Sequence, residues 1–411
     1  MKRLVILGAG TAGTMMAQKL HRALPEDSWH LTVVDRDDVH VYQPGLLFLP
    51  FGDVQAESLI RARKKTLPAA VDLRLEAVDR VDTDGRAIHF VGGGKLEYDI
   101  LVVATGTRTA PEQTDGMTGP GWHTNVFDFY TLEGASALAA RLERFEGGKV
   151  AVHFVDMPIK CPVAPLEFAF LADAFFAKKG LRDKVELQYV TPLDAAFTKP
   201  RASAALGSLL TQKGIEVVGD FALERVDGEK RVMTSYDGRE VDFDLLVTVP
   251  LHTGSDVITG SGLGDGFGFI PTHKHTLQSL HDERIFVLGD ATDLPTSKAG
   301  SVAHFQSEVL TENLLRYIRD AELLEAFDGH ANCFIETGYD KALLIDFNYD
   351  TEPLPGRWPL PGVGPFSLLA ESRINHMGKV GFEWAYWNLL LKGKELPISH
   401  RMQRAGKWGA N

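Results

Sequence analysis

A chain of 411 residues, 44% hydrophobic and 24% charged, is long enough for two or three domains with substantial cores and has the balance of a soluble globular protein. Its formal net charge of −12 excludes a general nucleic-acid binder, which needs a basic footprint. Two cysteines, Cys161 and Cys333, are too few for a disulfide-stapled secreted scaffold, and no apolar run approaches the ~20 residues of a spanning helix.

From the N-terminus, Met1-Lys2-Arg3 leads straight into an apolar run at 4–7. That run is too short for a signal sequence, and glycines follow it where a cleavage site would stand. The expected location is cytoplasmic, with membrane contact at the surface. Residues 4–7 read as a buried strand, followed by Gly8-Ala9-Gly10-Thr11-Ala12-Gly13 and a helix to about Ala23; a second strand at 31–34 ends in Asp35. This is the GxGxxG fingerprint in the setting it requires, with an acid roughly 20 residues further on. Gly8 permits the tight turn, Gly10 lets the backbone approach a pyrophosphate at a helix N-terminus, and Gly13 lets helix and strand pack closely. Asp35 would accept hydrogen bonds from a ribose diol. The fingerprint predicts dinucleotide binding without choosing between NAD and FAD.

A connection and helix at 125–145 lead to a strand at 150–155, a proline-rich turn and a helix from about Val163. A second nicotinamide domain would carry phosphate-binding glycines at this turn; here no glycine lies between Val150 and Lys179, and Cys161 stands there instead. Strands at 185–190 and 215–218, a helix at 202–212 and a small antiparallel sheet within 221–236 complete this half, and the strand at 244–250 returns to the first. A loop at 297–300 precedes a helix to about Arg319. Two strands are expected at 331–337 and 341–348, a proline-rich link at 353–365, and a helix over 366–391 with Trp384, Tyr386 and Trp387 crowded near its end. At 392–411, Lys392, Lys394, Arg401, Arg404 and Lys407 outnumber Glu395, so the tail is basic on an acidic protein.

The turn carries the chemistry. A thiolate is the nucleophilic form of cysteine, and a helix N-terminus lowers a thiol's pKa; Cys161 precedes a helix that Pro162 and Pro165 would start, with Lys160 beside it. A disulfide in the cytosol is expected to be catalytic rather than structural. Glu167, in an otherwise apolar segment, is a candidate proton-handling group. No metal site is expected.

Two further stretches bring in resemblance. Tyr98-Asp99-Ile100-Leu101-Val102-Val103-Ala104-Thr105-Gly106 resembles the strand-to-ATG return of flavoproteins with two dinucleotide-binding domains. Arg284-Ile285-Phe286-Val287-Leu288-Gly289-Asp290-Ala291 resembles their Gly-Asp motif. By that resemblance the cofactor is FAD, lined by Ala104, Thr105, Gly106 and Gly289, with Asp290 on the ribityl chain. Lys298, Ala299 and Gly300 would set a helix N-terminus against the flavin edge that gains negative charge on reduction.

Lys160-Cys161-Pro162-Val163-Ala164-Pro165-Leu166-Glu167, Thr296-Ser297-Lys298-Ala299-Gly300 and Cys333-Phe334-Ile335-Glu336 together look like the sulfide:quinone oxidoreductase family, over nearly the whole chain. The resemblance implies an α/β fold with two Rossmann-like domains, divided as 1–110 (FAD domain, first part), 111–250 (second domain, without NAD glycines), 251–325 (FAD domain, second part) and 326–411 (a C-terminal membrane-facing segment). It implies that sulfide attacks a Cys161–Cys333 disulfide, that a persulfide forms on one cysteine while the other thiolate attacks the flavin, and that electrons pass through FAD to a membrane quinone. Phe334 and Phe382 are the candidate quinone contacts. The C-terminal aromatics and basic tail fit an interfacial element holding the protein peripherally on the cytoplasmic side of the membrane. A homo-oligomer is compatible with all of this.

The chain departs from the family in one respect: many members carry a third cysteine in the region matching 125–130, where this chain has Phe127 and none. Three other readings stand beside this one. A type II NADH:quinone oxidoreductase shares the fold and needs glycines after the strand at Val150. The flavin subunit of a flavocytochrome c sulfide dehydrogenase shares the cysteine pair, and a non-catalytic FAD-bound redox sensor would keep the cofactor alone.

Overall fold

Strand Lys2–Leu7 pairs in parallel with Trp29–Asp35 on one side and Ile100–Val103 on the other. Its residues from Leu4 onward are buried on both faces, which is why the run is apolar throughout rather than alternating. The computed structural model, which describes residues 1–360, 362–396 and 398–408, continues this sheet in the order Ile285–Val287, Ile100–Val103, Lys2–Leu7, Trp29–Asp35, Asp72–Leu75. The carboxyl ends of its three central strands deliver Gly8, Ala104 and Asp35 to one edge, and Ile285–Val287 brings Gly289 and Asp290 beside them.

A second five-stranded parallel sheet runs Val126–Phe127, Leu245–Val249, Gly148–Phe154, Val185–Val190, Glu216–Val218. The chain passes between the two sheets at Thr107–Thr109 and returns at His252–Gly254, and these two crossings pair with each other. Each half also carries a three-stranded antiparallel sheet, Val78–Asp82 with Ala87–Phe90 and Lys95–Glu97 in the first, Leu223–Asp227 with Val232–Ser235 and Glu240–Asp242 in the second. The α/β architecture with two dinucleotide-type sheets is as expected from the sequence. Helix Ala164–Lys178 is apolar on nearly every side because it is enclosed: Leu166, Phe168, Ala169, Phe170 and Phe176 are buried between the second sheet and strand Ala331–Gly338.

The C-terminal region corrects two expectations. Residues 353–365 are not a plain link. Gly356–Leu360 and Gly364–Leu368 form an antiparallel hairpin joined to Lys341–Phe347, completing a four-stranded sheet (Pro361 lies outside the described residues). Prolines hid it, yet an edge strand tolerates a missing N–H; Pro359 and Pro365 sit opposite each other, and the rings of Trp358 and Phe366 are 5.8 Å apart. The helix accordingly begins at Arg373, not Phe366, and ends at Asn388. Ser372 caps it by accepting the Asn375 N–H at 3.0 Å.

The aromatic end of that helix also differs from expectation. Tyr386 and Trp387 do not face outward; they are buried against the first domain. The Tyr386 hydroxyl lies 2.6 Å from Thr11 Oγ1 and 2.7 Å from His40 Nε2, and the Arg61 guanidinium sits 4.0 Å over the Trp387 ring. Tail residue Lys407 is likewise drawn in, paired with Asp346. A buried hydroxyl and a buried ammonium both need partners, and the first domain and the C-terminal sheet provide them.

Candidate functional site

The three fingerprint glycines have separable reasons. Gly8 holds φ +105°, and a methyl there would strike the Ala104 carbonyl; a methyl on Gly13 would overlap the Gly8 carbonyl oxygen. A methyl on Gly10 meets no protein atom within 4 Å, so that face of the loop is open. Helix Thr11–Ala23 starts there with no side-chain cap and no acid in its first turn, leaving its first N–H groups and the positive end of its dipole directed at the opening. Asp35 accepts the Ala9 N–H at 2.7 Å and the Arg36 N–H at 2.8 Å and lies 3.2 Å from Arg63 Nη1, so it braces the loop as well as standing where a ribose would.

Around this opening, Ala104 is tied by its N–H to Leu7, Gly106 holds φ +67°, and the Thr105 hydroxyl is buried without a partner among the described residues. Gly289 donates to the Gln306 side chain at 2.6 Å, and Asp290 follows, its carboxyl raised by burial against the pull of Lys298 and Lys160. A second bare helix N-terminus faces the same space: Gly300–Ile318, with Ala299 extended before it, no cap, no acid in the first turn and open space around Gly300. Two uncapped helix ends, an open glycine face and an orphaned hydroxyl suit a dinucleotide with a flavin at one end. Lys298 is committed elsewhere. Its ammonium donates to the carbonyls of Asp290 at 2.9 Å and Thr292 at 2.7 Å over the Phe269 ring, and burial lowers its pKa to about 8.

The cradle yields a prediction. Gly10→Ala is expected to fold normally and to bind FAD roughly tenfold or more weakly, about 1.4 kcal/mol, because the methyl occupies the pyrophosphate's approach. Gly13→Ala is expected instead to lower the melting temperature of the apoprotein. Flavin-fluorescence titration and thermal melts on both variants check this.

The cysteines meet beside that second helix end. Cys161 sits in the left-handed region at φ +44°, a conformation disfavoured for a residue with a side chain and held here by its surroundings. Its N–H donates to the Lys298 carbonyl at 2.8 Å, and the Tyr130 hydroxyl donates to the Lys160 carbonyl at 2.8 Å and lies 3.2 Å from that of Cys161. Strand Ala331–Gly338 brings Cys333 against it, and both are free thiols. Each thiol is the largest influence on the other's protonation. Cys161 is pushed well above the usual range by contact with Cys333, by burial and by the negative charge of Cys333 and Glu167. Cys333 is lowered by the contact with Cys161, with Lys379 helping against burial. The expected acidification of Cys161 by its helix is therefore corrected: helix Ala164–Lys178 begins three residues later, and Glu167 Oε2 stands 4.0 Å from the Cys161 sulfur.

Glu167 is fully buried. Its Oε1 accepts the Glu336 N–H at 2.9 Å and the Lys379 ammonium at 2.8 Å, and Lys379 also donates to the Phe334 carbonyl at 3.0 Å. Burial works against the Lys379 charge, yet Glu167 and the two thiols outweigh it and raise its pKa. Lys379, Tyr130 and the pair Glu336–His376 were not singled out from sequence; a lone Lys or Glu in a helix or strand carries no signal of where it points. Of the candidate quinone contacts, Phe334 stands edge-on to Phe366 at 5.0 Å and closes over Gly378, where a methyl would meet its ring, and Phe382 lies one turn along the same helix.

Fold and sequence are similar to those of known proteins. The mitochondrial sulfide:quinone oxidoreductase of Mus musculus is 24% identical over 396 residues, covering 95% of this chain and 86% of its own. A type II NADH:quinone oxidoreductase of Staphylococcus epidermidis is 28% identical over 117 residues, 28% of this chain and 29% of its own. The X-ray structure of the sulfide:quinone oxidoreductase of Aquifex aeolicus has the same fold, with a TM-score of 0.79 at 19% identity over 96% of this chain and 92% of that one. Residues 2–307 match the family described as pyridine nucleotide-disulphide oxidoreductase. A match spanning most of the chain, from the first strand into the helix at Gly300, is decisive for membership: the chain belongs to the pyridine nucleotide-disulphide oxidoreductase family and is an FAD-dependent oxidoreductase.

Proposed function

We propose that this chain is a sulfide:quinone oxidoreductase working through Cys161 and Cys333. The observation that carries the reading is the contact of the two thiols beside the helix end at Gly300, at the turn where an NADH-binding domain would have glycines. In the oxidised pair, hydrosulfide attacks one sulfur; the S–S bond breaks, leaving a persulfide on that cysteine and a thiolate on the other. FAD, when bound, carries the electron pair from this sulfur chemistry to the quinone. The chain's part is to hold the pair in register: the Lys298 carbonyl and the Tyr130 hydroxyl fix the Cys161 backbone, and Lys379 favours the Cys333 thiolate. Glu167, 4.0 Å from the Cys161 sulfur, is placed to receive or return a proton there.

The quinone site we assign lies between Phe334, Phe366, Lys379 and Phe382. Helix Arg373–Asn388 presents Ile374, Met377, Val380 and Trp384, 48%, 69%, 57% and 63% exposed, on one face. Their spacing keeps them within about a third of the helix circumference. Leu360 and Val363, at the tip of the hairpin packed on this helix, are exposed too. Among the described residues no helix is long and apolar enough to cross a membrane. This face is the one we assign to the bilayer, with the protein peripheral on its cytoplasmic side. Burying one such side chain is worth ~1.5–3 kcal/mol. Trp384→Glu and Met377→Glu are therefore each expected to weaken binding to lipid vesicles by at least about tenfold in a flotation assay.

The function itself is tested by anaerobic titration of the FAD-loaded protein. Sulfide is expected to bleach the flavin and added quinone to restore it, and NADH is expected to do neither at a comparable rate. Faster bleaching by NADH would replace this reading with that of a type II NADH dehydrogenase.

A further inference from the structure

Beyond Glu167 and Lys379 lies a second carboxyl, buried and bonded to a partly exposed histidine, that the sulfur chemistry does not use. Phe334 and Glu336 alternate on one face of strand Ala331–Gly338, and His376 and Lys379 are one turn apart on the helix that covers them. The Glu336 carboxyl is 1% exposed and takes both its oxygens to within 3.0 Å of His376 Nδ1; His376 is 26% exposed. Through its N–H, Glu336 is joined to the same Glu167 oxygen that holds Lys379. Burying a carboxyl at this depth is costly even when it is hydrogen-bonded, buried groups of this kind cluster at functional sites, and its partner opens to solvent.

The stoichiometry supplies a task, on the reading that this enzyme reduces quinone with sulfide. Hydrosulfide gives up two electrons and one proton on becoming sulfane sulfur, and the quinone takes two electrons and two protons on becoming quinol. One proton per turnover must enter from solvent. We propose that His376 and Glu336 are the entry for that proton, passing it from the surface to the Lys379 side of the quinone site. His376 takes it up on its exposed edge, Glu336 accepts it from Nδ1, and the carboxyl gives it up towards the quinone oxygen. Glu336 then returns to the carboxylate, and His376, left with its proton on Nε2, regains the Nδ1–H by exchange with solvent, so nothing is consumed but the proton.

The electrostatics around the pair suit this. Burial raises the Glu336 carboxyl to about 7, against the pull of His376 and Lys379 and with Glu167 adding to the rise. At the outer end His376 faces Asp53, which lies near Lys178 and Asp340 and whose own carboxyl is raised by burial. The donor is thus protonated below about neutrality and loses its proton above it, so quinone-driven reoxidation is expected to slow as pH rises through about 7.

The test separates the half-reactions in the FAD-loaded, full-length protein by anaerobic stopped flow, using sulfide and then decyl-ubiquinone. In Glu336→Gln and His376→Ala, bleaching by sulfide is expected to stay within about twofold of the parent, and reoxidation to slow by roughly 10²-fold, the scale of a lost general acid. The Gln variant is expected to lose the pH dependence near 7, and imidazole is expected to restore part of the His376→Ala rate. Melting temperature and FAD content identify a variant that misfolds; Glu336→Asp, which keeps the carboxyl, then serves in its place and is expected to retain the pH dependence. Reoxidation within twofold of the parent in both variants, or equal slowing of both half-reactions, would overturn the relay. Parent protein that fails to bleach with sulfide would sink the sulfide reading instead, and reoxidation of dithionite-reduced enzyme by decyl-ubiquinone still decides the relay.

Discussion

Serine at either Cys161 or Cys333 is expected to cut sulfide-driven flavin bleaching by about 10³-fold or more while FAD stays bound. A covalent step of this kind is lost as a unit when one member goes, since neither sulfur has a partner to exchange with. The fold has little reason to fail. Serine keeps the Cβ and the backbone geometry, so the left-handed conformation at 161 and the N–H to the Lys298 carbonyl are preserved. The fingerprint loop is held by backbone contacts of its own, with Gly8 against Ala104 and Gly13 against Gly8, so FAD content after purification should match the parent. Stopped-flow absorbance under nitrogen reads the rate, and flavin released on denaturation reads the content. Bleaching above a few per cent of the parent rate in both variants would exclude the cysteine pair as the site of attack.

The second large effect concerns the buried pair Glu167–Lys379. Lys379→Met leaves the Glu167 carboxyl buried beside two thiols with one donor fewer. Breaking such a pair from one side costs about 3–5 kcal/mol, more than removing both charges. The double variant Glu167→Gln/Lys379→Met is therefore expected to recover much of the loss in denaturant unfolding. Because folding raises the Lys379 pKa above its ordinary 10.5, its contribution is fully present below that value and declines as pH climbs beyond it. The stability gap between parent and Lys379→Met should thus be flat across neutral pH and shrink only in strong alkali. The same substitution removes the ammonium that favours the Cys333 thiolate, so its apparent pKa, read by the rate of alkylation against pH, is expected to rise. A double variant no more stable than the single one would show that the charges are not balancing each other.

Much of the fold was legible because the signals are local. Parallel strands buried on both faces read as apolar runs at 4–7, 100–103 and 245–249, and the glycines at 8, 10 and 13 fall within a single strand-to-helix turn. The cysteine at the second turn was informative for the same reason, since it occupies a place whose usual occupant follows from backbone geometry alone. The C-terminal region was legible only in part. Prolines at 359 and 365 signalled a link where an edge hairpin tolerates them, and the aromatics at 386 and 387 read as a membrane anchor although they pack on the first domain.

What the amino-acid sequence determined by itself was the dinucleotide architecture, the loss of the second glycine turn and the identity of the two sulfurs. Only the tertiary structure decided how those sulfurs differ. Lys379, Glu336 and His376 come from elements more than 160 residues downstream of Cys161; there Lys379 helps to lower the Cys333 thiol, and Glu336 meets His376. Such electrostatic effects act over a few ångströms of low-dielectric interior, and a distance through space is not encoded in any local pattern of residues.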